Sequence, residues 1–597
     1  MKKNIIYSVF VTMLLLIASC NDVMDTRPYD KFDEGTVWGS KATAEAFVFS
    51  TYNSILRGLW LGTASNNPLW NEVWTPNGID NRGTTFTREL ITRENDFGFN
   101  QFSRIRACNI IIEKAQASTI LSDFEKTALV AEGKFLRAMT YYWLARRFGK
   151  VVWVDRVLGP TEEDYKLPTT PDVATSYQYI LKDMDDAIAG LPEESPKGRA
   201  NKYTAAAMKS EICLQAYAYT TNAAYLQQAV DAANLVINSG KYAMESDYEG
   251  MFNEAKSKSS EIILGVYTTR EVTNCDHIAE MQNAVPNMNN DVVRAGGASP
   301  LFKVDKIFEA WLYVSPSQTL VDQYLVIDQQ TGQAVYWNES SQFNNSVERL
   351  PVSGDVVDKG VVKDGSRINE IIYAHRDKRF YGTIVYDSCI WFNETVTTCV
   401  QGNLHRVVNG QFHGHMGLTN YYWRKGIYNV TPRVFVGIPT DYHWVLTRLG
   451  RVYLNKAEAL LLQNKVGEAV QALNVTRTVH GQLPPSIATN LEDAWADYKR
   501  ERQVDLAQES DYYWSLLRWG KYGGPANAGR APGAKIAELE TSPTHIDITK
   551  SRNAYEVAKI TRGANNERVF DHNRRYLLPI PQGQINRNPN LVQNPGW

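Results

Sequence analysis

A chain of 597 residues with 44% hydrophobic and 21% charged residues has the composition of an ordinary globular protein, and length enough for more than one domain. Its net charge of −2 provides no overall positive field, which excludes a chain-wide nucleic-acid-binding role. The one compositional excess is aromatic, with 15 Trp and 32 Tyr. Such side chains usually fill cores, and in loops they offer flat faces to ligands.

The first element is a targeting segment. Lys2 and Lys3 precede an apolar run over residues 5–17, too short for a stable membrane span. The run closes on Ile17-Ala18-Ser19-Cys20, which resembles a bacterial lipobox cleaved before Cys20. Residues 1–19 therefore read as a signal peptide, Cys20 as the lipidation site, and 20–40 as a linker from the membrane. Two acyl chains hold a protein on a bilayer where one does not. Of the other cysteines, Cys108 and Cys213 lie in helical patterns and read as small buried hydrophobes. Cys389 and Cys399 stand ten apart in a β-prone stretch, where an oxidising compartment permits a bridge.

Residues 41–260 read as a run of helices. Segments 42–59, 100–117, 198–219 and 223–237 have helical character, with Gly240 as a stop. Ser122 and Glu125 form a capping box for a long helix ending at Gly149. Thr170 and Pro171 read as the start of another, with Pro where its missing N–H costs nothing. Residues 261–441 differ. Short β-prone runs at 262–267, 381–386 and 433–436 alternate with Gly, Asn and Asp turns, so this is a loop-rich, partly β insert. From 442 helical spacing returns through Leu446, Leu449, Tyr453, Ala457 and Leu460, followed by a helix over 466–479 and a third opened by Thr489 and Glu492. Small residues at the crossings, Ala457, Ala459 and Ala469, suit tetratricopeptide-like stacking. Pro579, Pro581, Pro589 and Pro595 give the tail an extended surface path. The fold class is mainly α, a tetratricopeptide-like helical repeat frame with the insert between its halves, 41–260 and 442–597.

The chemistry reads as binding, with no cofactor expected. There is no Walker loop and no G-x-S-x-G elbow. His405, His413 and His415 lack a carboxylate at ligand-like spacing, so no metal is expected. Sugars present apolar C–H faces and a hydroxyl rim, which aromatic faces and Asn, Asp or Arg side chains match. The breaker-rich stretch 70–82 holds both kinds: Trp70 and Trp74 with Asn77, Asp80 and Arg82. Trp311, Tyr313, Trp337, Trp391, Tyr421, Tyr422 and Trp423 are the aromatic stock of the insert, each more often a core residue than a platform. Trp143, Trp514 and Trp519 sit inside helices and read as structural. A few aromatic platforms and hydrogen bonds, less ordering costs, give dissociation constants of roughly micromolar to millimolar.

The runs RAMTYYWLARRFGKVVWV, SPSQTLVDQY, HRDKRFYGTIVY, TNYYWRKG, AEALL, LNVTRTVHG and KRERQVDLAQE…LLRWG, with the tail RRYLLPIPQGQINRNPNLVQNPGW, resemble the SusD/RagB family of outer-membrane lipoproteins that capture glycans for a partner transporter. The resemblance runs from the signal to the last residue and is closest after Leu446. It implies a SusD-like α-α superhelix, lipid-anchored on the outer face of the outer membrane. It also implies an oligosaccharide ligand and a SusC-like TonB-dependent transporter as partner. The stretch 70–82 falls where that family places part of its ligand site, so Trp70, Trp74, Asn77, Asp80 and Arg82 are the expected ligand residues, faced by Trp311 and Trp391. One departure stands out. The family usually carries an Arg and an Asp three apart in the last helix, where this chain has Tyr512 and Ser515, so a local ion pair is expected to be missing. Three other readings stay open: a peptide-binding lid as in the RagB branch, a protein–protein scaffold without a small ligand, and a surface glycosidase. The last would need two carboxylates a set distance apart, which sequence does not show.

Overall fold

Antiparallel helices set the frame. The computed structural model describes residues 37–62, 68–80, 86–159, 161, 165–286, 310–408, 411–412, 416–429, 438–561 and 568–597. Cys20 and the lipobox, Arg82, His413, His415 and the strand expected at 433–436 lie outside these residues. The principal helices are α1 (Lys41–Tyr52), α2 (Pro68–Glu72), α3 (Phe102–Ala117), α4 (Asp123–Phe148), α5 (Val173–Gly190), α6 (Lys202–Thr220), α7 (Ala224–Ile237), α8 (Leu449–Leu462), α9 (Val466–Val479), α10 (Leu491–Asp505) and α11 (Tyr512–Tyr522). From α3 to α10 each packs on the next in sequence. The stack passes directly from α7 to α8 although residues 238–448 intervene.

Local chemistry explains where these helices start and stop. The Ser122–Glu125 capping box forms as expected, with Ser122 N donating to Glu125 Oε2 at 2.9 Å and Glu125 N to Ser122 Oγ at 3.4 Å. Residues 135–148 of α4 are buried on every side because α3 and α5 both cover it. Gly133 permits that approach, since a Cβ there would lie 2.8 Å from Ile112 Cγ1. Two expected caps are corrected. The cap of α5 is Asp172, whose Oδ1 accepts from Thr175 N at 2.7 Å, so Pro171 precedes the helix. That of α10 is Asn490, accepting from Asp493 N at 2.9 Å, and not Thr489 with Glu492. Helix α1 continues as a π-type turn (Asn53–Leu61), where Arg104 Nε takes the Ser54 carbonyl at 2.9 Å.

Strands are short and antiparallel: β1 (Gly78–Asp80), β2 (Ile262–Thr268), β3 (Val314–Pro316), β4 (Val347–Arg349), β5 (Val356–Val362), β6 (Ile384–Val385), β7 (Ile390–Trp391), β8 (Glu394–Thr395), β9 (Tyr422–Trp423), β10 (Tyr442–Arg448), β11 (Thr544–Ile548) and β12 (Ala554–Lys559). Pairing of β2 with β10 zips the two ends of the intervening segment together. Much of the run expected as a strand at 381–386 is instead the helix Lys378–Thr383, capped by Asp377. The region after α11 is not only helix and tail. Its hairpin β11–β12 joins β5 and β4 in a four-stranded sheet, in the order β11-β12-β5-β4. The tail also departs from an uninterrupted extended path, forming the helix Gln582–Arg587 between Pro581 and Pro589. It is bound to the first helical pairs: Leu578 N donates to Arg147 O at 2.7 Å and Asn594 Nδ2 to Phe148 O at 2.9 Å.

Cys389 and Cys399, expected to bridge, are free thiols. Register is the reason. Val396 N donates to Cys389 O at 2.9 Å and Ser388 N to Val396 O at 2.7 Å, so Val396 stands opposite Cys389 and Cys399 lies three residues further on.

A network of buried charges ties the two helical regions to the segment between them. Arg379 meets Asp377, Glu501 and Asp505. Arg448 meets Glu261 at 2.9 Å, Asp505 at 2.7 Å and Glu509 at 2.9 Å. Lys425 reaches Glu509 at 2.7 Å, while Arg451 and Arg502 share Asp511 at 2.8 and 2.6 Å. The ion pair expected to be missing near Ser515 has a local substitute, since Ser515 Oγ donates to Asp511 Oδ2 at 2.8 Å beside Arg502. His480 lies between Asp505, 2.8 Å from Nδ1, and Glu261, 2.9 Å from Nε2. Burial alone would push its pKa down, but the two carboxylates outweigh that and hold it at about 9. A pKa raised above the unfolded value near 6.5 makes its stabilisation fully present below about pH 6.5 and lost as pH rises through about 9. The melting-temperature gap between the protein and His480→Gln should therefore be widest near pH 6 and shrink towards pH 9. A gap that stays constant over that range would show that no proton on His480 is involved.

Candidate ligand-binding site

The stretch 70–80 was expected to be an exposed loop, and it is not. It folds as α2, a turn and β1, and every residue from 69 to 80 is buried. The turn is closed from within: Thr75 Oγ1 donates to Glu72 O at 2.8 Å, and Asn77 N to Thr75 Oγ1 at 3.2 Å. Asn77 then acts as a clamp. Its Nδ2 donates to Glu72 Oε2 at 2.8 Å, and its Oδ1 accepts from Gln503 Nε2 of α10 at 2.7 Å. Burial pushes the Glu72 carboxyl up to about 7, against the Asn77 amide and the Gln508 N–H that donate to it. Asp80 is buried in β1 opposite Val314.

The expected indole platforms are likewise covered by protein. Trp74 stacks on Phe86 with centroids 4.2 Å apart and planes 8° apart, and meets the edge of Tyr513 at 5.2 Å. Trp391 lies against Tyr422 at 6.0 Å and Phe392 at 4.8 Å. Trp70 lies 6.3 Å from Tyr313. All three indoles are buried, which corrects the expectation of exposed faces; a breaker-rich sequence can close on itself when its polar groups find partners inside. Trp143, Trp514 and Trp519 are buried in their helices, as expected.

The structure nevertheless brings the N-terminal stretch and the insert together. Strand β1 pairs with β3, with Asp80 opposite Val314 and Gly78 opposite Pro316, and β9 packs beside β3. Trp311 and Tyr313, just before β3, are only half-buried. Their N–H groups donate to Gln282 O at 2.7 Å and Asn283 O at 2.9 Å. Between them Leu312 adopts a φ of 34°, a left-handed conformation unfavourable for a side chain with a Cβ. Strain of this kind, of order 1–3 kcal/mol, collects at sites of function. Trp311 is thus the expected ligand residue whose ring is not buried, and Tyr313 its neighbour. Sequence composition pointed to both aromatics, but nothing in it signalled the φ of Leu312.

Sequence reasoning missed Arg568. Its Nη2 donates to the Gly78 carbonyl at 3.1 Å, and its Nε and Nη1 meet no acceptor among the described residues. Burial pulls its pKa down to about 9. Ile79, Leu418 and Ile560 pack together beside it, so chain segments from four parts of the sequence meet at β1. An unpaired buried guanidinium is costly. Among the described residues no group of three or more His, Cys, Asp and Glu could hold a metal ion, and no helix is long and apolar enough to cross a membrane.

Comparison with known proteins places this arrangement in context. A model of the SusD family matches residues 276–597, and a second, described as starch-binding associating with outer membrane, matches 70–214. A SusD-like protein of Bacteroides ovatus is 24% identical over 282 residues, which cover 43% of this chain and 48% of that one. The chain spans about half the length of the first such relatives. The starch-binding protein SusD of Bacteroides thetaiotaomicron is 23% identical over 523 residues, 82% of this chain and 76% of that protein. Among solved structures, a SusD-like protein from Bacteroides fragilis superposes with a TM-score of 0.72 at 23% identity, covering 95% of this chain and 99% of that one.

Proposed function

Because the chain belongs to the SusD family, we propose that it is a glycan-binding lipoprotein of the outer membrane that passes an oligosaccharide to a SusC-like TonB-dependent transporter. The observation that carries this reading is the family match over 276–597, joined by the starch-binding match over 70–214. The site is proposed at the junction of β1 and β3, with Trp311 and Tyr313 as the aromatic face. Sugar C–H groups would pack on these rings, and hydroxyls would be held by polar groups at the rim. The protein is proposed to bind without turnover, so its role is capture.

The protein lacking residues 1–20 loses nothing of the described fold, and a glycan array with that form tests the reading. An oligosaccharide bound and recovered intact supports it. Hydrolysed product would favour a glycosidase, and peptide co-purifying with the chain would favour a peptide-binding lid. The anchor is tested separately. Cys20→Ala should leave the protein unlipidated, released or unprocessed. Acyl chains still present on that variant by mass spectrometry would rule out Cys20 as the anchor.

A further inference from the structure

A cavity of about 30 Å³ lies where the π-type turn Asn53–Leu61 meets α4, α6, α8 and β10. It has room for one or two particles the size of water, each of which needs about 10–15 Å³. None of the residues assigned above to the ligand site lines it. Met139, Met208 and Val445 give it apolar walls, and Arg146 of α4 lines it beside Trp60. The Arg146 guanidinium lies between two indole faces, 4.5 Å from the centroid of Trp60 and 4.5 Å from that of Trp514. The next guanidinium, that of Arg147, lies 4.8 Å from Trp514 and 3.6 Å from Trp143. Two buried cations are thus threaded through three indoles, and neither forms an ion pair among the described residues. Indole faces attract a cation but bring no negative charge to cancel it. Burial pulls both guanidinium pKa values down.

The two carboxylates on the wall are engaged by other cations. Glu211 accepts from Arg451 Nη1 at 3.2 Å and from the Tyr142 hydroxyl at 2.9 Å. Glu509 meets Lys425 at 2.7 Å and Arg448 at 2.9 Å. What the lining leaves over is all of one kind. Trp60 Nε1, Arg146 Nε and Arg451 Nε are buried and meet no acceptor among the described residues, while no buried side-chain oxygen of the lining lacks a donor. A surplus of donors around an uncompensated charge calls for a partner that accepts only and is negative. A water molecule would accept two of the three N–H groups, would have to donate in turn, and would leave the Arg146 charge unanswered. A halide accepts from every side and supplies the missing charge.

We propose that this cavity binds one chloride ion, held by the N–H groups of Arg146, Arg451 and Trp60. The proposal is independent of the glycan reading. Thermal melts of the protein lacking residues 1–20 test it, with sodium gluconate replaced stepwise by sodium chloride or bromide at fixed ionic strength. Gluconate is too large for the cavity and controls for screening. A saturable rise in melting temperature with either halide is expected, about 2 °C once the halide is a hundredfold above its dissociation constant. Arg146→Met removes an unpaired buried charge, so it should fold and should lose the halide response. Trp60→Phe keeps the ring without its N–H and should weaken the response at least threefold. Crystals grown in bromide should show an anomalous peak in contact with Arg146 and Trp60, a readout that needs no variant. No halide response in the unmodified protein, a response that Arg146→Met keeps, or no bromide peak in the cavity would overturn the proposal.

Discussion

Replacing Arg448 with methionine is expected to destabilise the protein by about 3–5 kcal/mol, the cost of breaking a buried ion pair by removing one partner. Arg448 is fully buried and faces three carboxylates, Glu261, Asp505 and Glu509. Its Nη2 also donates to the Asp505 carbonyl at 2.8 Å. Without it those carboxylates would keep His480, Arg379 and Lys425 as their nearest cations. Lys425 is a poor substitute, because burial pulls its pKa down to about 8. The change also strikes where β10 hands the chain to α8, so loss of cooperativity should accompany loss of stability. Urea denaturation followed by circular dichroism reads both. A midpoint equal to that of the unmodified protein would mean that the network contributes specificity without stability.

Trp74→Ala should also cost about 3–5 kcal/mol, the range for emptying a buried aromatic site. Phe86 would lose its stacked partner and Tyr513 its edge contact, both at the junction of α2 with α11. A ligand platform would give the opposite pattern, with affinity lost and the melting temperature kept. Thermal melts beside calorimetry separate the two, and a melting temperature unchanged by Trp74→Ala would return that indole to the ligand site.

The contrast between Trp74 and Trp311 shows what the sequence could carry. Helices with a cap and an apolar face were legible: Ser122 and Glu125 announce α4, and the spacing over 466–479 gives α9 to the residue. Pairings between distant segments were not. The hairpin β11–β12 alternates plainly enough over 544–559, but only its partner β5, nearly 200 residues earlier, makes it an internal sheet. Local composition misjudged the stretch 70–80 for the same reason. Its Asn, Asp and Gly residues suggest an exposed loop, whereas Asn77 is closed over by Gln503, a residue 426 positions away. The buried charges were visible as letters in KRERQVDLAQE, yet Asp505 and Glu509 take Arg448 as partner from an element that sequence order keeps apart. The strained Leu312 and unpaired Arg568 left no signal in sequence, because each is defined by what surrounds it.

Glycan capture at the β1–β3 junction, as proposed, is open to direct test. Calorimetry with an oligosaccharide selected on the array, using the unmodified protein, Trp311→Ala and Tyr313→Ala, tests it. Binding with a dissociation constant of roughly micromolar to millimolar is predicted. Each substitution should weaken it by about 0.5–1.5 kcal/mol, with little change in melting temperature because both rings are only half-buried. Oligosaccharide binding that neither substitution alters would contradict the placement of the site, and no binding to any glycan would contradict capture itself.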